Sequence, residues 1–270
     1  MPLNIDRFKR INGHTLKIIA CITMLIDHIT AGILLPVIRK GMYPDSITFD
    51  QMKMVYNILR GIGRTSFPIF CFLLVEGFIH TKSRLRYALS LFIFGLISEI
   101  PFDITFYAKE DVFNISIPEI MAANKEHLSE HCNVYFTLLI GLMVIWCCDR
   151  IQRFIREKNL HIAFFFVMSA IPVTAGILLA EKLHTDYHGY GVFLIAVLYL
   201  LKIYEPVNIF AGYIFFLNLG TEYLALPGFI LLLLYNKKRG RKLGKLKYAF
   251  YAFYPVHIIA IYFFRCILFG

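Results

Sequence analysis

The chain has 270 residues, 58% of them hydrophobic and only 17% charged, with a mean hydropathy of +0.64. That balance lies outside the range of soluble globular proteins and leaves no hydrophilic region large enough to fold as a separate domain. The +10 net charge is no sign of nucleic acid, because most of the cations collect in short segments between apolar runs, on the side expected to face the cytoplasm.

The first apolar run, Thr15 to Ile38, is long enough to cross a bilayer, which takes about 20 apolar residues. It reads as a retained span and not as a cleavable signal, because Asp27-His28 interrupts it and no small-x-small site follows. Lys17, Cys21, Met24 and His28 share one helical face. An aspartate at the bilayer centre costs roughly 2.5–3.5 kcal/mol, so this helix is expected to present Asp27 and His28 to protein or to a watery cavity. A polar loop from Arg39 to Tyr56 leads to a second span, Asn57 to Ile79, with Arg60, Arg64 and Glu76 inside it. A basic turn holding Lys82, Arg84 and Arg86 precedes the third span, Tyr87 to Tyr107, which carries Glu99, Pro101 and Asp103.

Residues 108–132 form the longest loop, and it is acidic. The fourth span is Asn133 to Asp149, followed by Arg150, Arg153, Arg156 and Lys158; the fifth is His161 to Leu183, and the sixth is Tyr187 to Ile203. Two short runs, Val207 to Leu219 and Tyr223 to Tyr235, read as two spans or as one re-entrant hairpin. The most basic segment, 236–247, precedes a last span from Tyr248 to Leu268. The expected fold is therefore an all-α polytopic membrane helix bundle of about nine transmembrane helices, one domain over residues 1–270. The inside segments, from Arg7, Lys9 and Arg10 onward, hold most of the lysine and arginine, which places the N-terminus in the cytoplasm. Five of the six cysteines sit in apolar runs, so no disulfide framework is expected.

With that topology, scattered polar residues reach similar depth. Asp27 and His28 on the first span, Arg60 and Arg64 on the second, Glu99 and Asp103 on the third, Asp186, Tyr187 and His188 at the head of the sixth, and His257 halfway along the last are the candidates. Buried charges in membranes pair with one another, so a network of Arg60 and Arg64 with Glu99 and Asp103 is the economical arrangement. Snorkelling arginines and packing carboxylates are the plain alternatives. A histidine in mid-membrane has fewer structural reasons to exist, which singles out His28 and His257. His127, His131 and Cys132 have metal-ligand spacing but no evident fourth ligand, so no metal is expected.

Six segments carry a family resemblance: LKIIACITMLIDH (Leu16–His28), GRTSFPIFCFLLVEGFIHT (Gly63–Thr81), ISEIPFD within Tyr87–Asp103, Asn133–Gly141, DYHGYG (Asp186–Gly191), and Leu234–His257 with its FYPVH ending. On these the sequence resembles the TraX family, named for an enzyme that acetylates the N-terminus of F-type conjugative pilin. A wider likeness reaches the acyltransferase-3 and related transmembrane acyltransferases, through Lys17 separated from His28 by ten residues, a Phe-rich segment ending Gly77-Phe78, and Tyr254-x-x-His257. The resemblance implies a multi-pass protein of the bacterial inner membrane that moves an acetyl group from cytoplasmic acetyl-CoA to a membrane-associated or extracytoplasmic acceptor, a pilin-like N-terminus or a surface polymer. It makes His28 the catalytic histidine; the residues themselves add His257 and Asp27 as catalytic candidates, and which carboxylate orients His28 stays open. Lys17, Arg60, Arg64, Glu99, Asp103, Asp186 and Tyr187 would line the substrate site, and Arg84, Arg86, Lys237, Lys238 and Arg239 would meet the phosphates of coenzyme A. Partners would be membrane lipid and the acceptor, not nucleic acid. The acidic 108–131 loop matches no motif of the family. The residues alone leave two other readings open: a proton-coupled transporter, and a non-catalytic assembly factor.

Overall fold

The computed structural model describes residues 9–128, 130–240, 244 and 247–270. Arg7 and the basic residues Arg241, Lys242 and Lys245 lie outside them. The regular structure among the described residues is helical: α1 (Gly13–Ile29), a π-helical turn (Thr30–Leu34), α2 (Leu35–Lys40), α3 (Phe49–Gly63), α4 (Ser66–His80), α5 (Arg84–Phe106), α6 (Ile117–Ala123), α7 (Val134–Glu157), α8 (Ile162–Lys182), α9 (His188–Leu200), α10 (Val207–Phe216), a 3₁₀ turn (Glu222–Ala225), α11 (Leu226–Leu233) and α12 (Lys247–Phe269). Among the described residues, six stretches are long and apolar enough to cross a bilayer: Gly13–Lys40, Phe49–His80, Arg84–Phe106, Val134–Glu157, Ile162–Lys182 and Tyr248–Phe269. The chain is a polytopic membrane protein. The sixth, seventh and eighth expected spans are shorter helices; α10, with 10 residues, is about 15 Å long, half the hydrocarbon thickness.

The chain divides into two compact units, the first formed by residues 1–69, 97–129 and 217–270 and the second by 70–96 and 130–216. In the first, the Asn12 side chain caps α1 by accepting from the His14 and Thr15 amides, both at 3.0 Å. The π-helical turn follows from Pro36. Proline has no N–H for the carbonyl four residues back and its ring crowds that carbonyl, so the ladder widens and the Gly32 oxygen loses its i+4 donor. The second span begins earlier than the sequence suggests, at Phe49. Thr48 and Gln51 form a capping box, the Thr48 amide donating to Gln51 Oε1 at 2.8 Å. It breaks at Arg64-Thr65, where Pro68 has no N–H for the Arg64 carbonyl. Short α6 lies inside the acidic loop and is tied to it by buried Asn124, whose amide side chain accepts from the Lys109 and Glu110 amides and donates to the Glu110 carbonyl. Ile104, Ile120, Tyr262 and Cys266 form a buried cluster between the end of α5, α6 and α12.

In the second unit α7 packs against α8 and α9. Gly141 and Gly176 permit the close approach, since a Cβ at either would overlap Ile195 or Val144. The opposite face of α8 turns Val167, Ile171 and Leu178 outward, a surface only lipid or another apolar body would cover.

Candidate active site

The site is assembled in the first unit from α1 and α12. His28 lies near the midpoint of the Gly13–Lys40 stretch and His257 near the midpoint of Tyr248–Phe269. Their rings are nearly parallel, 4.9 Å apart, with His28 Nδ1 2.6 Å from His257 Nε2. The third contact fixes the protons: His257 Nδ1 lies 2.6 Å from the Phe253 carbonyl, which only accepts. In the neutral pair His257 therefore carries its proton on Nδ1 and offers a bare Nε2, and His28 Nδ1–H donates to it. His28 Nε2 is left bare, with its lone pair available. Phe106 and Tyr254 wall the His28 ring, at 5.2 and 5.6 Å between centroids. Beside the pair an apolar groove of about 280 Å³ runs between Leu25, Ile29 and Ile33 on one side and His257, Ala260 and Phe264 on the other. It opens on the outer surface of two membrane-length helices.

Asp27 does not orient His28. Its carboxylate accepts from Arg60 Nη1, drawn together because Gly63 lets α3 approach α1 so closely that a Cβ there would overlap the Asp27 side chain. The expected pairing of Arg60 with Glu99 or Asp103 is thus not formed. Arg64 Nη1 lies 2.8 Å from Glu222 Oε1, on the 3₁₀ turn before α11. Glu222 was not among the sequence candidates, being remote in the chain and flanked by apolar runs.

Arg265 also escaped the sequence reading. It is 1% exposed and donates to three carbonyls: Gly32 at 3.0 Å, Thr105 at 2.8 Å and Ile104 at 3.2 Å. Gly32 is the oxygen to which Pro36, four residues on, has no N–H to donate. Ile104 and Thr105 belong to the last turn of α5, whose carbonyls have no intrahelical partner and carry the negative end of the helix dipole. One guanidinium thus satisfies three orphan acceptors and locks the turn that follows His28.

The model of the TraX protein family matches residues 12–265. The chain belongs to the TraX family. A probable fimbrial assembly protein, FimC of serogroup H1 from Dichelobacter nodosus, is 26% identical to it over 279 aligned residues, covering 96% of each chain. No solved structure matches.

The remaining candidates of this TraX chain are distributed over both units. In the first, Lys17 Nζ sits 5.0 Å from the centre of the Phe250 ring, on the turns of α1 leading to His28. Asp103 is buried in the last turn of α5 and Glu99 one turn before it is half-buried. Lys237, Lys238 and Arg239 belong to a turn docked on the start of α1, where the Lys238 and Arg239 carbonyls accept from the Gly13 and His14 amides at 2.9 and 3.1 Å; their side chains are exposed. In the second unit, the start of the DYHGYG segment and the two residues before it form a constrained turn. His184, Tyr187 and His188 all have positive φ, Asp186 bonds through its backbone to Cys132, and the Thr137 hydroxyl donates to the Asp186 carbonyl. Arg84 Nη1 is 2.6 Å from Asp149 Oδ2, and Arg86 is exposed. Among the described residues no three His, Cys, Asp or Glu side chains are grouped to hold a metal; His131 lies beside His184, 5.8 Å between ring centroids.

Proposed function

We propose that this TraX chain is an acetyltransferase of the bacterial inner membrane, transferring an acetyl group from acetyl-CoA to the amine or hydroxyl of a membrane-associated acceptor. The observation that carries the reading is the His28–His257 pair, whose hydrogen bonds leave His28 Nε2 unprotonated at mid-depth in the membrane. Acetyl-CoA supplies an activated thioester carbonyl and a thiolate leaving group. His28 Nε2 takes the proton of the acceptor as the acceptor attacks that carbonyl, and gives it back to the departing sulfur. His257 keeps the His28 ring in the productive tautomer and shares the charge that His28 gains. Arg60 spends one N–H on Asp27, and the rest of its fork is available to a developing oxyanion. The apolar walls of Phe106 and Tyr254 keep water from competing for the thioester.

The basic face expected in the cytoplasm suits the phosphates of coenzyme A, and the groove along α1 and α12 suits an acceptor arriving sideways from the bilayer. The name of the Dichelobacter relative favours a pilin-like protein over a surface polymer, and it also favours the rival reading of an assembly factor without catalysis. One experiment separates these readings. Purified protein in detergent is supplied with acetyl-labelled acetyl-CoA and membranes of a strain lacking it. Label is expected in a membrane protein or surface polymer with the wild-type chain and not with His28→Gln. Binding of acetyl-CoA without label transfer would sink the enzymatic reading.

A further inference from the structure

The end of the second unit at which α5 starts and α7 and α9 finish gathers four cations around one carboxylate. Asp149, in α7, accepts through Oδ2 from Arg84 Nη1 at 2.6 Å and from Arg153 Nε at 3.0 Å, and through Oδ1 from the Tyr199 hydroxyl at 3.2 Å. Arg84 lies over the Phe78 ring, 4.2 Å from its centre, and Lys202 Nζ lies over Tyr199 at 3.5 Å. Phe78 and Tyr199 meet edge to face at 5.7 Å, so the cations stand on a common aromatic floor. Arg156 follows Arg153 by one turn at the rim. Neither Lys202 nor Arg156 has a carboxylate partner among the described residues.

The set carries three positive charges in excess of neutrality. A carboxylate ligand would supply one negative charge; a phosphate supplies up to two, with several acceptor oxygens that match arginine forks. Asp149 leaves that excess in place while fixing Arg84 and Arg153, which lowers the rotamer entropy lost on binding. We propose that Arg84, Arg153, Arg156 and Lys202 form a binding site for a phosphate group, with Asp149 and Tyr199 as its positioning residues. The phosphate comes from one of two sources: a soluble phosphate-bearing cosubstrate, coenzyme A, which rests on the acetyl-transfer reading, or the headgroup of an anionic phospholipid, which does not.

The test uses the full chain purified in an uncharged maltoside detergent, with thermal melting to check each variant's fold. Binding of radiolabelled coenzyme A and retention of added phosphatidylglycerol, read by mass spectrometry, are compared for wild type, K202Q, K202Q/R156Q and the control R150Q/K158Q. The control removes two cations from the end of α7 outside the cluster. The expected result is a loss of at least about tenfold in one ligand for K202Q/R156Q, a smaller loss for K202Q, and none for the control. Loss of coenzyme A binding alone assigns the site to the soluble source, loss of phosphatidylglycerol alone to the lipid, and loss of both to a shared phosphate site. Failure of the acetyl-transfer reading would show separately, as wild-type protein that neither binds coenzyme A nor moves acetyl yet loses its lipid in K202Q/R156Q. Equal losses in the control, no loss of either ligand in K202Q/R156Q, or no binding of either ligand by wild type would overturn the proposal.

Discussion

His28 has a basic nitrogen available only while His257 is locked in one tautomer, and that lock is a single contact with the Phe253 carbonyl. His28→Gln should therefore reduce acetyl transfer by at least about 10²-fold, the range lost with a general base, while binding of labelled coenzyme A stays close to wild type. His257→Phe keeps the ring but removes its nitrogens; transfer should fall less than in His28→Gln, with the binding constant unchanged. A binding constant that collapses in either variant would show that the pair holds substrate and does not move protons. At Gly63 the argument is steric. A methyl there overlaps Asp27, so Gly63→Ala should lower stability by about 1–3 kcal/mol, read as earlier thermal aggregation in detergent. Paired mid-membrane histidines were legible in the sequence because few structural roles fit them. The partners of the arginines were not: Asp27 and Glu222 are chosen by how closely α3 approaches α1 and the 3₁₀ turn, and no spacing in the sequence encodes that distance.

Element by element, the apolar runs gave the helix order because run length and helix length are tied by the rise per residue. The boundaries followed local chemistry instead. The capping box at Thr48 and Gln51 was visible in the sequence and extends the second span back to Phe49, yet the polar character of residues 39–56 masked it. The π-helical turn had its own signal in Pro36, whose missing N–H had to leave the Gly32 carbonyl open. The sequence carries no signal for Arg265, since an arginine near the end of an apolar run usually snorkels to the interface; here it points inward. Replacing it with Met should strand three buried acceptors and cost on the order of 3 kcal/mol or more. Pro36→Ala restores a donor for Gly32, so the double variant P36A/R265M should be less unstable than the sum of the two, by on the order of 1 kcal/mol. Strict additivity in that cycle would mean that the Gly32 contact contributes nothing.

At the scale of the molecule, orientation follows from where the cations lie. Single cysteines at 109–124 should react with an impermeant maleimide added outside intact cells, and one at Lys238 should not; labelling of both from the same side would reverse the topology. If the chain is the acetyltransferase proposed above, its coenzyme A affinity should weaken as salt is raised, because salt screens contacts between phosphate and exposed cations. The first unit is stitched from the beginning, the middle and the end of the chain, and the residue that joins the three is Arg265. During synthesis α1 and α5 leave the ribosome long before it does. Until the last helix has entered the bilayer, Gly32, Ile104 and Thr105 wait with open carbonyls and His28 waits without its partner. The first unit is thus completed only after residue 265 has been synthesised. A nascent chain stalled before residue 265 should expose the end of α5 to protease, and release of the stall should protect it.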